Sequence, residues 1–164
     1  MATLIITYLE MISPDQLKPK KIEDSRFRIL EAIEKQWQYN SFLYDFVGSM
    51  WIWHDKLIWT DTQWKEYAES DNLRTFIAYY EGSPAGYYEL EWKNNEVEIT
   101  YFGLSPRFIG KGYGGPLLTS ALENAWLMKP SRVWVHTCTL DHPAALKNYQ
   151  ARGMQIYKVE TIDT

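Results

Sequence analysis

The chain has 164 residues, 46% hydrophobic and 23% charged, a balance that excludes a disordered or fibrous protein and fits one globular domain over residues 1–164. A formal charge of −4 without a basic run removes the electrostatic footprint of a nucleic-acid binder, so no nucleic-acid partner is expected. The single cysteine, Cys138, excludes an internal disulfide, and no segment reaches the roughly 20 apolar residues of a membrane span.

The first stretch, "MATLIITYLEM", lacks a basic n-region, and its apolar run is too short for a signal peptide; the chain is read as cytoplasmic, without a membrane partner. Leu4 to Met11 is β-branched and predicts a strand, and "SPDQLKPKK" then breaks regular structure with two prolines. From Ser25, the spacing of Phe27, Leu30, Ile33 and Trp37 predicts a helix with one apolar face. The segment from Tyr39 to Trp59 is ambiguous and reads as helix followed by loop. Many of the eight tryptophans cluster between Trp37 and Trp64. Thr60 and Gln63, three apart and ahead of Trp64 and Tyr67, spell a capping box.

Three strands are predicted next, at Arg74–Tyr80, Ala85–Trp92 and Glu96–Leu104, and their short connections imply an antiparallel meander. Leu117, Leu118, Ala121, Leu122, Ala125 and Trp126 mark one face of a helix that stops near Pro130. Arg132–Thr137 is a further strand, and the helical crossover makes it parallel to Glu96–Leu104. In "DHPAALKNYQARG", Asp141 is read as the cap of a short helix and Gly153 as its end; "MQIYKVETI" closes the sheet. The fold class is mixed α/β (α+β): a mixed, mostly antiparallel central sheet of about six to seven strands with one parallel pair, flanked by helices.

Between strand and helix, "RFIGKGYGG" (Arg107 to Gly115) is placed as phosphate-binding loops are. A P-loop needs Ser or Thr after its lysine, whereas Gly112 follows Lys111. Gly110, Gly112 and Gly115 match the dinucleotide fingerprint, but the next strand ends at "VHT" without the carboxylate that binds a ribose, and a meander precedes the loop. A third reading fits every neighbour. The run from Arg107 to Gly112 resembles the R/Q-x-x-G-x-G/A loop of the GNAT superfamily of acyl-CoA-dependent N-acyltransferases. "DHPAALKNYQARGM" is similar to that family's C-terminal pattern, with Tyr149 at its tyrosine and Gly153 at its glycine. Met154 stands for the usual phenylalanine, and His142 for an asparagine that touches the pantetheine arm. The order of elements agrees over essentially the whole chain.

The resemblance implies a GNAT-like fold, acetyl-CoA as cosubstrate, no metal, and acetyl transfer to the primary amine of a small-molecule or peptide acceptor. Homodimers are common among the proteins it resembles. Arg107, Gly110, Lys111, Gly112 and Gly114 take the pyrophosphate positions, and backbone around Phe102 and Leu104, with His142, meets the thioester and pantetheine. Glu98 falls at the family's general-base glutamate, with Glu89, Glu91, His136 or a water as alternatives; Tyr149 falls at its general acid. Alternation along the strand puts Glu96, Glu98, Thr100, Phe102 and Leu104 on one face. A base is needed because only about four lysine-like amines in ten thousand are neutral at pH 7. Phe42, Tyr44, Trp51, Trp53, Trp59 and Trp64 are candidates to line an amine pocket, against the alternative that they fill the core. The rival class is a non-catalytic acyl-CoA sensor or partner-binding module on the same scaffold.

Overall fold

A computed structural model describes residues 3–51, 53 and 55–163, Met50 by its backbone alone. Seven strands form one sheet: β1 (Thr3–Met11), β2 (Phe27–Glu31), β3 (Leu73–Tyr80), β4 (Ser83–Lys93), β5 (Glu96–Leu104), β6 (Arg132–Cys138) and β7 (Gln155–Asp163), in spatial order β2-β3-β4-β5-β6-β1-β7. Only β5 and β6 run parallel, joined over the sheet by α3 (Gly114–Leu127). The remaining helices among the described residues are α1 (Trp37–Gly48), α2 (Asp61–Ala68) and α4 (Ala145–Ala151).

The β2–β5 meander follows from its turns. Glu81 and Gly82 have φ of 49° and 89°, and Asn94 and Asn95 of 54° and 63°, the pairs of positive angles that match a two-residue hairpin to the twist of its strands. Alternation then sends Tyr88, Leu90, Val97 and Ile99 to one side, against Leu117, Leu118 and Leu122 of α3, in the larger core. Tyr87 and Ile77 go to the other side, under Leu43 and Val47 of α1. Burying each such side chain contributes about 1.5–3 kcal/mol. At Thr60 the capping box forms as expected: Gln63 N–H donates to the Thr60 hydroxyl, and Thr60 N–H to the Gln63 side chain.

Two expectations are corrected here. The helix expected from Ser25 is instead the edge strand β2, and α1 starts only at Trp37. Phe27 is buried against Tyr113, but Leu30 and Ile33 are 59% and 79% exposed, so the helical spacing marks no shared buried face. Pairing with β3 decides the conformation, locked by the forked ion pair of Arg74 with Glu31 at 2.7 and 2.9 Å. In the ambiguous segment after Tyr39, helix followed by loop is what forms; Ile52 and His54 lie outside the described residues. Nor does Asp141 cap α4, which begins at Ala145 without a side-chain cap. Its carboxylate is taken by other donors, near and remote: Thr137 Oγ1 at 2.8 Å, Cys138 N–H at 3.2 Å and Trp53 Nε1 at 2.8 Å.

Gly153 closes α4 with φ of 104°, and a Cβ there would collide with the carbonyl of Gln16. Gly153→Ala is therefore expected to cost roughly 2–4 kcal/mol in urea unfolding, the strain of a left-handed residue added to a backbone clash that no rotamer relieves.

Candidate active site

The parallel pairing of β5 with β6 covers three residues, Glu96↔Arg132, Val97↔Val133 and Glu98↔Trp134, and then ends. Beyond it the strands part, and a cavity of about 560 Å³ opens between Ile99–Leu104 on one wall and Val135–Cys138 on the other. Arg132 clamps the closed end: its guanidinium reaches Glu96 at 3.1 Å and Glu10 at 3.0 Å. Once apart, each strand presents along the cavity the backbone edge that its neighbour would otherwise have paired.

A β-bulge shapes the β5 wall. Glu89 of β4 pairs with Tyr101 and Leu90 with Ile99, so Thr100 is an extra residue. The expected alternation of Glu98, Thr100, Phe102 and Leu104 on one face is therefore broken. Before the bulge Val97 and Ile99 face α3; after it Phe102 and Leu104 pack with that core, and Tyr101 joins the opposite cluster under α1. Buried polar groups hold the bulge. Glu89, 1% exposed, accepts from Tyr67 Oη at 2.5 Å and Asn40 Nδ2 at 2.8 Å, and Tyr67 Oη in turn accepts from the Thr100 hydroxyl at 2.8 Å.

At one end of the cavity stands the glycine-rich loop. Gly110 and Gly112 have φ of 77° and 90°, and a Cβ on either would project into open space. Both line the cavity, as does Gly114, the first residue of α3. That helix carries no side-chain cap, so the amides of Gly114 and Gly115 end it with their donors free of a capping oxygen. Asn148 of α4 donates to Gly114 O at 3.0 Å and fixes this terminus against the cavity. Uncapped amides, left-handed glycines and an elongated cavity suit a diphosphate on a long arm, which is the form of coenzyme A.

Seven of the residues assigned from sequence line this cavity: Phe102, Leu104, Gly110, Gly112, Gly114, His142 and Tyr149. Arg107 and Lys111 are exposed on the outside of the loop and are not part of the lining. Tyr149, 5% exposed, has its ring 6.0 Å from that of Phe102, and burial holds its phenol well above the usual range. The neutral hydroxyl donor thus persists at any working pH. His142 accepts from Ala144 N–H through Nδ1 at 2.9 Å and sits edge-on to Trp51.

Glu98 is the last paired residue, one position before the wall begins, and is not itself in the lining. Burial and the opposing Glu91 carboxylate push its pKa up to about 7, against the partial offset of Lys56 and Lys93. Glu89 has its oxygens committed to the bulge. His136 does line the cavity; its side chain is exposed there, and partial desolvation lowers its pKa, which favours the neutral imidazole at pH 7. Of the aromatic candidates, Trp51 and Trp53 line the cavity, Tyr44 and Trp64 are buried beneath it, and Phe42 is half exposed on α1. Trp59 lies beside Lys56. Asp55 and Tyr101 were not singled out from sequence. Both line the cavity, joined by a 2.6 Å hydrogen bond from Tyr101 Oη, and nothing in their local spacing announces it.

The Acetyltransferase (GNAT) family matches residues 29–154, and the chain belongs to it. No curated protein matches the sequence. Among solved structures, a GCN5-related N-acetyltransferase from Sphaerobacter thermophilus superposes with a TM-score of 0.71 at 14% identity, over 97% of this chain and 50% of that one. A functionally unknown protein from Staphylococcus epidermidis gives 0.64 at 14%, over 98% and 60%. An aminoglycoside acetyltransferase from an uncultured soil metagenomic sample gives 0.64 at 16%, over 79% and 88%. This chain thus spans half to three-fifths of the length of the first two. At these identities the likeness is one of fold. No helix among the described residues is long and apolar enough to cross a membrane.

The Glu98 carboxyl sets a pH dependence of stability. It binds its proton more tightly folded, at about 7, than at its ordinary 4.5, so its contribution is fully present below pH about 4.5 and is lost as pH rises through about 7. Glu98→Gln is expected to gain stability over wild type at pH 8 but not at pH 4, read from urea midpoints at the two pH values.

Proposed function

We propose that this chain transfers an acetyl group from acetyl-CoA to a primary amine. The observation that carries the reading is the parting of β5 from β6 with uncapped α3 amides at one end and Tyr149 on the wall. When bound, the coenzyme supplies an acetyl thioester. Amides from Gly110 to Gly114 hold its diphosphate, and the free edge of β5 near Phe102 and Leu104 aligns the arm, with His142 beside it. Donors fixed along such an edge are set before the reaction and favour charge developing on a carbonyl oxygen.

Glu98 takes the acceptor's proton, directly or through a water, and its raised pKa suits a base at neutral pH. A second candidate base is His136, because it lines the cavity and is neutral. The two predict different variants: the acidic limb of kcat/KM disappears in Glu98→Gln under the first and in His136→Asn under the second. Tyr149 donates a hydrogen bond to the leaving sulfur. Complete proton transfer from a phenol to a thiolate is uphill by roughly 2 kcal/mol at reference values, and burial of Tyr149 makes it steeper. Stabilisation by hydrogen bonding is therefore its role.

A cationic acceptor suits the wall at Asp55, whose carboxylate lines the cavity. A structural relative named as an aminoglycoside acetyltransferase was solved with sisomicin, an amine-bearing ligand, and supports an amine acceptor here.

Four measurements test the reading. Coenzyme A at a hundredfold excess over Kd should stabilise the fold by about 2.7 kcal/mol, and release of free thiol from acetyl-CoA on adding amines separates a transferase from a sensor that only binds. Gly112→Val should weaken coenzyme binding at least tenfold in titration while the fold persists. Tyr149→Phe should lower turnover tenfold or more with coenzyme affinity nearly unchanged; unaltered turnover removes Tyr149 from the chemistry.

A further inference from the structure

Beside the cavity, an ammonium group is already enclosed by aromatic rings, and it belongs to the chain itself. Lys56 Nζ lies 4.2 Å from the ring centroid of Trp59 and 4.8 Å from those of Tyr67 and Tyr101. The rings come from three places: the loop before α2, α2 itself, and β5 just past the bulge. The lysine side chain is 11% exposed, and Asp55 Oδ2 stands 3.6 Å from Nζ. Two more carboxylates, Glu89 and Glu98, are close enough to feel this cation.

The box opens onto the site already described, because Tyr101 and Asp55 wall both. Its electrostatics select a cation: three π faces and the Asp55 carboxylate surround one position, and the Glu89 and Glu98 carboxyls add longer-range attraction. Cation–π attraction there is worth about 0.5–2 kcal/mol, the upper end when the ammonium is desolvated. The present occupant is a primary alkylammonium, the chemical group that an amine-acetylating enzyme must receive, and two such groups do not fit at one point. The backbone around it is held, since Asp55 accepts from Tyr44 and Tyr101 and Lys56 N–H donates to Tyr44 Oη. Displacement is therefore a swing of the Lys56 side chain towards solvent, where Leu57 and Ile58 beside it are 61% and 89% exposed.

Resting on the transferase reading, we propose that the Trp59–Tyr67–Tyr101 box is the subsite for the acceptor's alkylammonium group, and that Lys56 is an internal occupant the acceptor displaces. The acceptor then arrives next to Glu98, and the lysine acts as a built-in competitor. Apparent affinity for any acceptor is reduced by the fraction of molecules in which Lys56 is seated.

The test uses n-butylammonium chloride, the free equivalent of a lysine side chain, with sodium chloride at matched ionic strength as control and no coenzyme. The readout is the indole N–H resonance of Trp59, identified by its loss in Trp59→Phe. Lys56→Ala should show a saturable shift with affinity at least tenfold above wild type. Should that variant not fold, Lys56→Gln, which keeps the packing and removes the charge, should gain at least threefold. Equal response in wild type and the folded variant overturns the proposal. So does a gain in cation affinity without a matching fall in the KM for n-butylamine in thiol release, because emptying any aromatic cage leaves room for a cation whether or not the acceptor uses it. Coenzyme stabilisation and thiol release are measured on wild type and the variant in parallel. If these are present and the gain is absent, the box alone fails; if these are absent and the gain is present, the transferase reading fails and the cation site stands.

Discussion

The site depends on two parallel strands that stay paired for three residues and then separate. Pairing is favoured at the closed end by buried Val97 and Val133 and by Arg132, which ties the carboxylates of β5 and β1 together. Past Glu98 the extra residue at Thr100 changes the twist of β5, and α4 lines the space that pairing would have closed. An unpaired backbone edge is costly when buried and useful when a ligand can pair with it. The separation therefore provides a slot for an extended, hydrogen-bonding molecule, with the amides of α3 at its end.

The second organising feature is the buried polar network that supports the bulge. Glu89 is a carboxylate in the core, and without Tyr67 and Asn40 its burial would be prohibitive. Those two donors belong to α2 and α1, so the network fixes both helices against β4 and β5 at the point where the cavity begins. A residue that looks like a base from its type and strand thus works as a structural acceptor. Glu98, on the adjacent strand opposite Glu91, has no such donor among the described residues; burial and Glu91 raise its pKa against two lysines, which leaves it poised near neutrality.

The two sides of the sheet accordingly divide the work. The α3 and α4 side carries an apolar core, the glycine loop and Tyr149, with the uncapped amides of α3 at the cavity. The α1 and α2 side carries Asp55, Glu89, Glu98 and a group of aromatic rings packed edge-to-face and tilted, and is suited to a cation. The cavity connects them through the gap between β5 and β6.

Much of this was readable from sequence. The meander, the crossover to Arg132–Cys138 and the loop from Arg107 to Gly115 follow from local rules: turn residues, periodicities of two and 3.6, and glycines where φ is positive. Family membership follows from the same loop and the Tyr149–Gly153 pattern. What failed were inferences that needed to know a distant partner. Phe27 to Trp37 has helical spacing, yet β3 claims the first five residues as an edge strand. Asp141 has the type and position of a cap, yet Trp53 and Thr137 reach it first. Perfect alternation along β5 was undone by one inserted residue whose stabilising partners, Tyr67 and Glu89, lie 33 and 11 positions away. Local chemistry is written within a few residues of itself, and so sequence alone determines it. Which carboxylate is left free, which aromatic rings close around Lys56, and where two strands part are set by contacts between remote segments, and only the folded chain decides them.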